Sequence, residues 1–290
     1  MLPFLPSYPG WSVTWTNIVT IAIGVALLLL GKYLKTERCI AATMSRNEQR
    51  IKSYIAISPL FILLAIVLAK ATIGQTPAYR NMLDEGGFVE YLTAISLFAA
   101  SLIAGLTARQ FWRRHDTVLS CIMLFYAAFL LVFWGEEVSW GQRVIGWAIS
   151  ELFALELPSF FQLYNVQEEF NLHNLVWVVP YMKLASSLVG AFVVLLALSS
   201  LWLLRHGSRR TQRFLRYSVP GWYLWPLFGF AALFLGVVTY CESRCQHTGY
   251  FGLIIPADSE IGECILAVAF FIFTLRNYLR QAEEMSSATV

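Results

Sequence analysis

Long blocks of apolar residues alternate with short polar intervals along this chain. The blocks approach the ~20 residues an α-helix needs to cross a bilayer. Seven are predicted as spans, at about 15–31, 54–73, 88–108, 118–134, 182–204, 222–240 and 261–276. The apolar runs are continuous rather than alternating, which argues against a transmembrane β-barrel. A long, partly apolar connector, 135–174, separates the fourth and fifth spans. The expected fold is all-α: a polytopic helical bundle forming one integral membrane domain over 1–290, with no stretch polar enough for a separate soluble domain. No internal repeat of the transporter kind is visible. The stretch Ser286-Ser287-Ala288-Thr289 is expected to be a disordered end.

Composition agrees with this pattern. Hydrophobic residues make up 58% of the chain and charged ones 13%, against roughly 25% charged in soluble domains. The placement of charge adds orientation. Segments 32–52, 109–116 and 205–216, with the tail from Arg276, hold 16 of the 21 Lys and Arg. All four fall on one side of a seven-span bundle, and the positive-inside rule makes that side cytoplasmic. The first apolar run has no Lys or Arg before it, while Lys32, Lys35 and Arg38 follow it. This is unlike a cleavable signal peptide and predicts the N-terminus outside and the C-terminus inside, with Trp11 and Trp15 as interfacial anchors. A multi-pass protein of the cell membrane follows. A nucleic-acid surface is a poor reading, because topology already accounts for the basic residues.

Acids show the opposite distribution. Thirteen of the 18 Asp and Glu lie on the outer side or at outer span ends. Glu90, Asp258, Glu260 and Glu263 open spans that run inward, where acids complement the helix dipole or cap free amides. Glu136 and Glu137 differ. They close the fourth span, at a helix C-terminus, where the dipole disfavours anions. Charge in an apolar helix costs roughly 2.5–3.5 kcal/mol at its centre and less toward the interface. If the helix continues, Glu136, Ser139 and Arg143 share one face, and Arg143 can neutralise one glutamate and leave the other as base or ligand. The alternative is a solvated, salt-bridged helix end.

A second polar stretch, Asn165 to Asn174, sets Glu169 and His173 four residues apart. On a helix that spacing lets the carboxylate orient the imidazole, or lets both bind one metal. The alternative is an interfacial segment with a hydrogen-bonded His. A divalent metal, with Glu137, Glu169 and His173 as candidate ligands, is one possibility. A metal-free acid–base site is another. Neither His-Glu-x-x-His nor a Gly-x-Ser-x-Gly elbow is present. Cys241 and Cys245 have the spacing of a short-loop disulfide in an oxidising compartment.

The motifs G-E-E-V-S-W-G-Q-R (135–143) and N-V-Q-E-E-F-N-L-H-N (165–174), with Glu85-Gly86-Gly87-Phe88-Val89-Glu90 upstream, resemble a signature of uncharacterised bacterial multi-pass membrane proteins. The resemblance covers about 84–175. It implies a bacterial inner-membrane location and carries no activity with it. Glu168 stands where that signature has glycine, and Glu169 is the matching acid. Intramembrane CAAX-type proteases are similar in using adjacent glutamates followed by Arg and a Phe-x-x-x-His element. Here the Arg is further away and Phe170-Asn171-Leu172-His173 is one residue shorter. Alkaline-ceramidase-like hydrolases are similar in span number, but their His-x-x-x-His element is absent.

The leading expectation is a membrane-embedded hydrolase or transferase acting at the extracytoplasmic face on a lipid or lipid-linked substrate. Glu136, Glu137, Arg143, Glu169 and His173 form the site, with Glu85, Glu90, Glu260 and Glu263 in second rank. Membrane lipids are the expected partners. A proton- or ion-coupled transporter and a non-catalytic membrane subunit are the competing readings.

Overall fold

A computed structural model describes residues 46–74, 76–83, 87–138, 179–245 and 256–287. Contacts divide the chain into two units, Met1–Ser53 and Tyr54–Val290. The described part of the first is residues 46–53, the opening of a helix in which Lys52 pairs with Glu48 at 3.1 Å. The helices are α1 (Arg46–Ile73), α2 (Pro77–Leu83), α3 (Phe88–Arg113), α4 (Thr117–Glu137), α5 (Val179–His206), α6 (Arg209–Ser218), α7 (Trp225–Cys245) and α8 (Ser259–Ser287). Short 3₁₀ turns, Trp222–Leu224 and Pro256–Asp258, lead into α7 and α8. No strand occurs among the described residues.

Stretches long and apolar enough to cross a membrane occur in Asn47–Ile73 and Thr117–Glu137, and within Pro77–Arg113 and Arg209–Thr239. Leu184–Ser200 is a shorter apolar helical stretch. These helices mark a membrane protein of all-α class. The second to seventh expected stretches fall on the helices α1, α3, α4, α5, α7 and α8; of these, α5 carries only the shorter apolar stretch and α8 is not among the described helices long and apolar enough to cross a membrane. The first, 15–31, lies outside the described residues. Large side chains such as Phe61, Ile95, Phe125, Phe192 and Leu195 are exposed along these helices, as a bilayer-facing surface requires.

A helix in lipid must satisfy its backbone from within, and α1 shows how. Pro59 sits inside it and removes the amide that would bond the Ile55 carbonyl. The Ser58 hydroxyl donates to that carbonyl instead, at 2.7 Å.

Within the second unit α3 packs on α4 and α8, and α7 packs on α8 and α5. α3 and α4 form a hairpin whose three-residue turn places His115 at φ 58°, the left-handed conformation that non-glycine residues adopt rarely. Hydroxyls stitch neighbouring helices together. Ser101 donates to the Ala127 carbonyl at 2.8 Å, and Ser120 to the Ala108 carbonyl at 2.9 Å. Tyr126 donates to the Ser218 carbonyl at 2.8 Å. Leu97, Leu130, Leu227, Phe228, Ile265 and Phe270 centre the main apolar core. A smaller one, Phe111, Leu119, Met123 and Tyr217, joins α3, α4 and α6.

Small residues set the α5–α7 approach, as is common where helices pack in lipid. Ser187 donates to the Ala232 carbonyl at 2.7 Å. A Cβ at Gly190 would meet the Phe228 carbonyl oxygen at 2.9 Å and the Ala232 Cβ at 3.1 Å. Gly190→Ala is therefore expected to force the two helices apart and destabilise the protein by about 1–3 kcal/mol. Equilibrium unfolding of the detergent-solubilised chain checks this, and an unchanged midpoint would contradict the close approach.

α4 ends at Glu137 with Val138 as its C-cap; the face that Glu136 would share with Ser139 and Arg143 falls on residues outside the described set. One expectation needs correction: Ser286 and Ser287 are helical rather than disordered. α8 is tethered near its end, where Tyr217 donates to Glu284 at 2.9 Å and Arg276 pairs with Glu283 at 3.3 Å.

Candidate functional site

Four helices each turn one face toward a cavity of about 90 Å³ at the acid-rich end of the second unit. From α4 come Phe129, Leu130, Phe133, Glu136 and Glu137, at the i, i+1, i+4, i+7, i+8 positions of one helical stripe. From α8 come Glu263, Leu266, Ala267 and Phe270, again one stripe, while α3 supplies Thr93 and Leu97 and α5 supplies Ser186 and Val189. Because α4 ends where α8 begins, the three carboxylates lie toward the same end of the cavity. The phenylalanines continue the wall toward the middle of the helices. The volume suits about three waters at ~30 Å³ each. It admits a reacting polar group rather than a whole lipid.

Glu136 and Glu137 are the last two residues of α4 and are half-buried. That is the dipole-disfavoured helix end expected from their position in the sequence. Glu263 is half-buried in the second turn of α8. It was expected only as a second-rank acid at a helix N-terminus. The cavity brings it to the same wall as the α4 pair. Thr93 is buried and donates to the Val89 carbonyl at 3.0 Å. The buried Cys264 follows Glu263 on α8. Glu260 and Glu90 occupy the first turns of α8 and α3, and neither lines the cavity.

Arg143, Glu169, His173 and Glu85 lie outside the described residues, as does His247. Cys241 and Cys245 fall in the last turns of α7, and the proposed bond between them rests on side chains outside the described set. Among the described residues, no group of three or more His, Cys, Asp and Glu is placed to hold a metal ion. The described histidines, His115 and His206, do not line the cavity. The expectation of a bound divalent metal therefore has no support from the donors described.

No family model, curated protein or solved structure matches the chain. The likeness noted from the 135–143 and 165–174 motifs stands on those residues alone.

A further polar cluster was not foreseen. Asp258, in the turn before α8, is fully buried. One carboxylate oxygen pairs with the Lys70 ammonium at 2.5 Å, and the other accepts from the Tyr79 hydroxyl at 2.8 Å. Lys70 also lies 5.2 Å from the centre of the Tyr79 ring, within cation–π range. Asp258 was read as a helix-terminus acid, and Lys70 was given no role. The signal available was Lys70 itself, a lysine closing an apolar run on the acid-rich side.

Proposed function

We propose that the chain is a membrane-embedded hydrolase or transferase acting on a lipid or lipid-linked substrate at the extracytoplasmic face. The observation that carries this reading is the shared cavity: Glu136, Glu137 and Glu263 at one end and a phenylalanine-lined wall beyond them. That polarity matches the junction of a lipid headgroup with its chains. The seven-span arrangement, with N-terminus out and C-terminus in, is part of the proposal and is supported by the separation of basic and acidic segments.

Two carboxylates in different surroundings can divide acid and base roles. In the proposed reaction one glutamate takes a proton from water or an acceptor hydroxyl. The resulting oxygen nucleophile attacks the ester carbon or phosphorus, the ester bond breaks, and a second, protonated carboxyl returns a proton to the leaving oxygen. Arg143 is proposed as a charge partner, and Glu169 as the group that orients His173 for proton transfer.

The test is reconstitution of the purified full chain in vesicles of total lipid extract from its native cells, followed by lipid profiling by mass spectrometry. A product absent from empty vesicles is expected. An unchanged profile together with chain-dependent proton uptake would overturn the reading in favour of a carrier.

A further inference from the structure

The opposite end of the bundle holds a second cavity, of about 340 Å³, between α6 and α8. Arg209, Arg213 and Arg216 line it from α6, and Arg276 and Arg280 from α8. The spacings are i, i+4, i+7 on one helix and i, i+4 on the other, so each set shares a helical face. Two glutamates on the wall offset part of this charge. Glu284 is approached by Arg213 at 3.7 Å and Arg114 at 3.9 Å, and Glu283 by Arg276 at 3.3 Å. Arg213 also pairs with Asp116 at 2.9 Å. Arg280 donates to the Arg216 carbonyl and lies 5.3 Å from the centre of the Tyr217 ring. Burial lowers the Arg280 pKa, but a guanidinium starts so far above neutrality that it stays charged there. Among the described residues the Arg209 and Arg216 side chains make no ion pair, and both are exposed. The cavity thus carries an excess of guanidinium groups, and two of them stand at its open side.

Its depth in the membrane follows from α4. Asp116, the N-cap of that helix, holds Arg213, while Glu137 is its last residue. A helix of 21 residues is about 30 Å long at ~1.5 Å per residue, the thickness of a hydrocarbon core. The arginine cavity therefore stands at headgroup level on the face away from the glutamates. Phe214, between Arg213 and Arg216 in sequence, is exposed, as suits an interfacial helix that dips an aromatic ring into lipid.

We infer that α6 and α8 form a binding site for a phosphate group carrying net negative charge, the chemistry shared by an anionic phospholipid headgroup and a soluble phosphate. Guanidinium groups recognise phosphate oxygens through paired, charge-assisted hydrogen bonds. About 340 Å³ leaves room for one phosphate group and several waters at ~30 Å³ each.

The test follows thermal unfolding of the detergent-solubilised full chain during titration with dioctanoyl phosphatidylglycerol, dioctanoyl phosphatidylcholine or inorganic phosphate. A saturable rise in midpoint with phosphatidylglycerol, absent with phosphatidylcholine, is expected. In the Arg209→Gln/Arg216→Gln double variant the half-saturating concentration should rise at least about tenfold, consistent with losing charged hydrogen bonds. Added salt should raise it in the wild type as well. Response to phosphatidylglycerol alone assigns the site to a lipid headgroup. An equal response to inorganic phosphate, likewise lost in the variant, assigns it to a soluble phosphate. No response, an equal response to phosphatidylcholine, or a variant that responds like wild type would overturn the inference.

Discussion

Glu137→Gln is expected to reduce lipid turnover by about 10²–10⁴-fold, the range that general acid–base groups contribute. The substitution keeps the shape of the side chain at the end of α4 and removes its capacity to exchange a proton. Glu137 is half-buried on the cavity wall. The neighbouring Phe133 and Leu130 keep much of that wall apolar, where replacing a carboxylate by a neutral amide relieves desolvation rather than adding to it. Folding should therefore survive. The check pairs product formation with a thermal unfolding curve on the same preparation. Loss of turnover with an unchanged midpoint supports catalysis. Loss of both would assign Glu137 a structural role, as a non-catalytic membrane subunit requires.

The largest expected effect on stability lies at Asp258. Asp258→Ala leaves Lys70, whose side chain is 13% exposed, without the carboxylate it meets at 2.5 Å. It also removes the acceptor of the Tyr79 hydroxyl bond. Breaking one side of a buried ion pair typically costs about 3–5 kcal/mol. Asp258→Asn should cost less, because an amide oxygen can still accept from Tyr79. The cluster joins the end of α1, the short helix α2 and the turn that starts α8, so a loss here loosens three elements together. Denaturant unfolding of the three proteins in detergent measures the order directly. Equal stability of wild type and Asp258→Ala would show that the cluster does not hold these elements.

The sequence made much of the helical layout legible, because hydrophobic blocks of span length have few alternatives. Six of the seven expected stretches fall on described helices. The ends were harder to place. α8 runs on to Ser287, beyond its apolar block, because Glu284 contacts Tyr217 and Arg213 of α6 while Glu283 pairs with Arg276 on α8 itself, holding a polar segment that hydropathy alone reads as tail.

The candidate site was legible in part. Glu136 and Glu137 stood out because a helix C-terminus is a poor place for anions. Glu263 did not, since helix dipoles readily explain an acid near an N-terminus. Its spacing from Leu266, Ala267 and Phe270 is what places it on the cavity stripe, and that stripe has meaning only once α4 is known to be its neighbour. The Asp258–Lys70–Tyr79 cluster joins residues 179 and 188 positions apart, beyond the reach of any local pattern. The arginine cavity has the same origin. Each half is a regular stripe on its own helix, but packing of α6 near α8 makes the two one surface.

The most direct measurement removes at once the three carboxylates that line the acid-end cavity among the described residues. Wild type and the Glu136→Gln/Glu137→Gln/Glu263→Gln triple variant would be reconstituted side by side in native lipid extract, with products and unfolding midpoints followed in both. The account predicts that the wild-type product disappears in the variant while the folded state persists. A variant that forms the same product at the wild-type rate would contradict it.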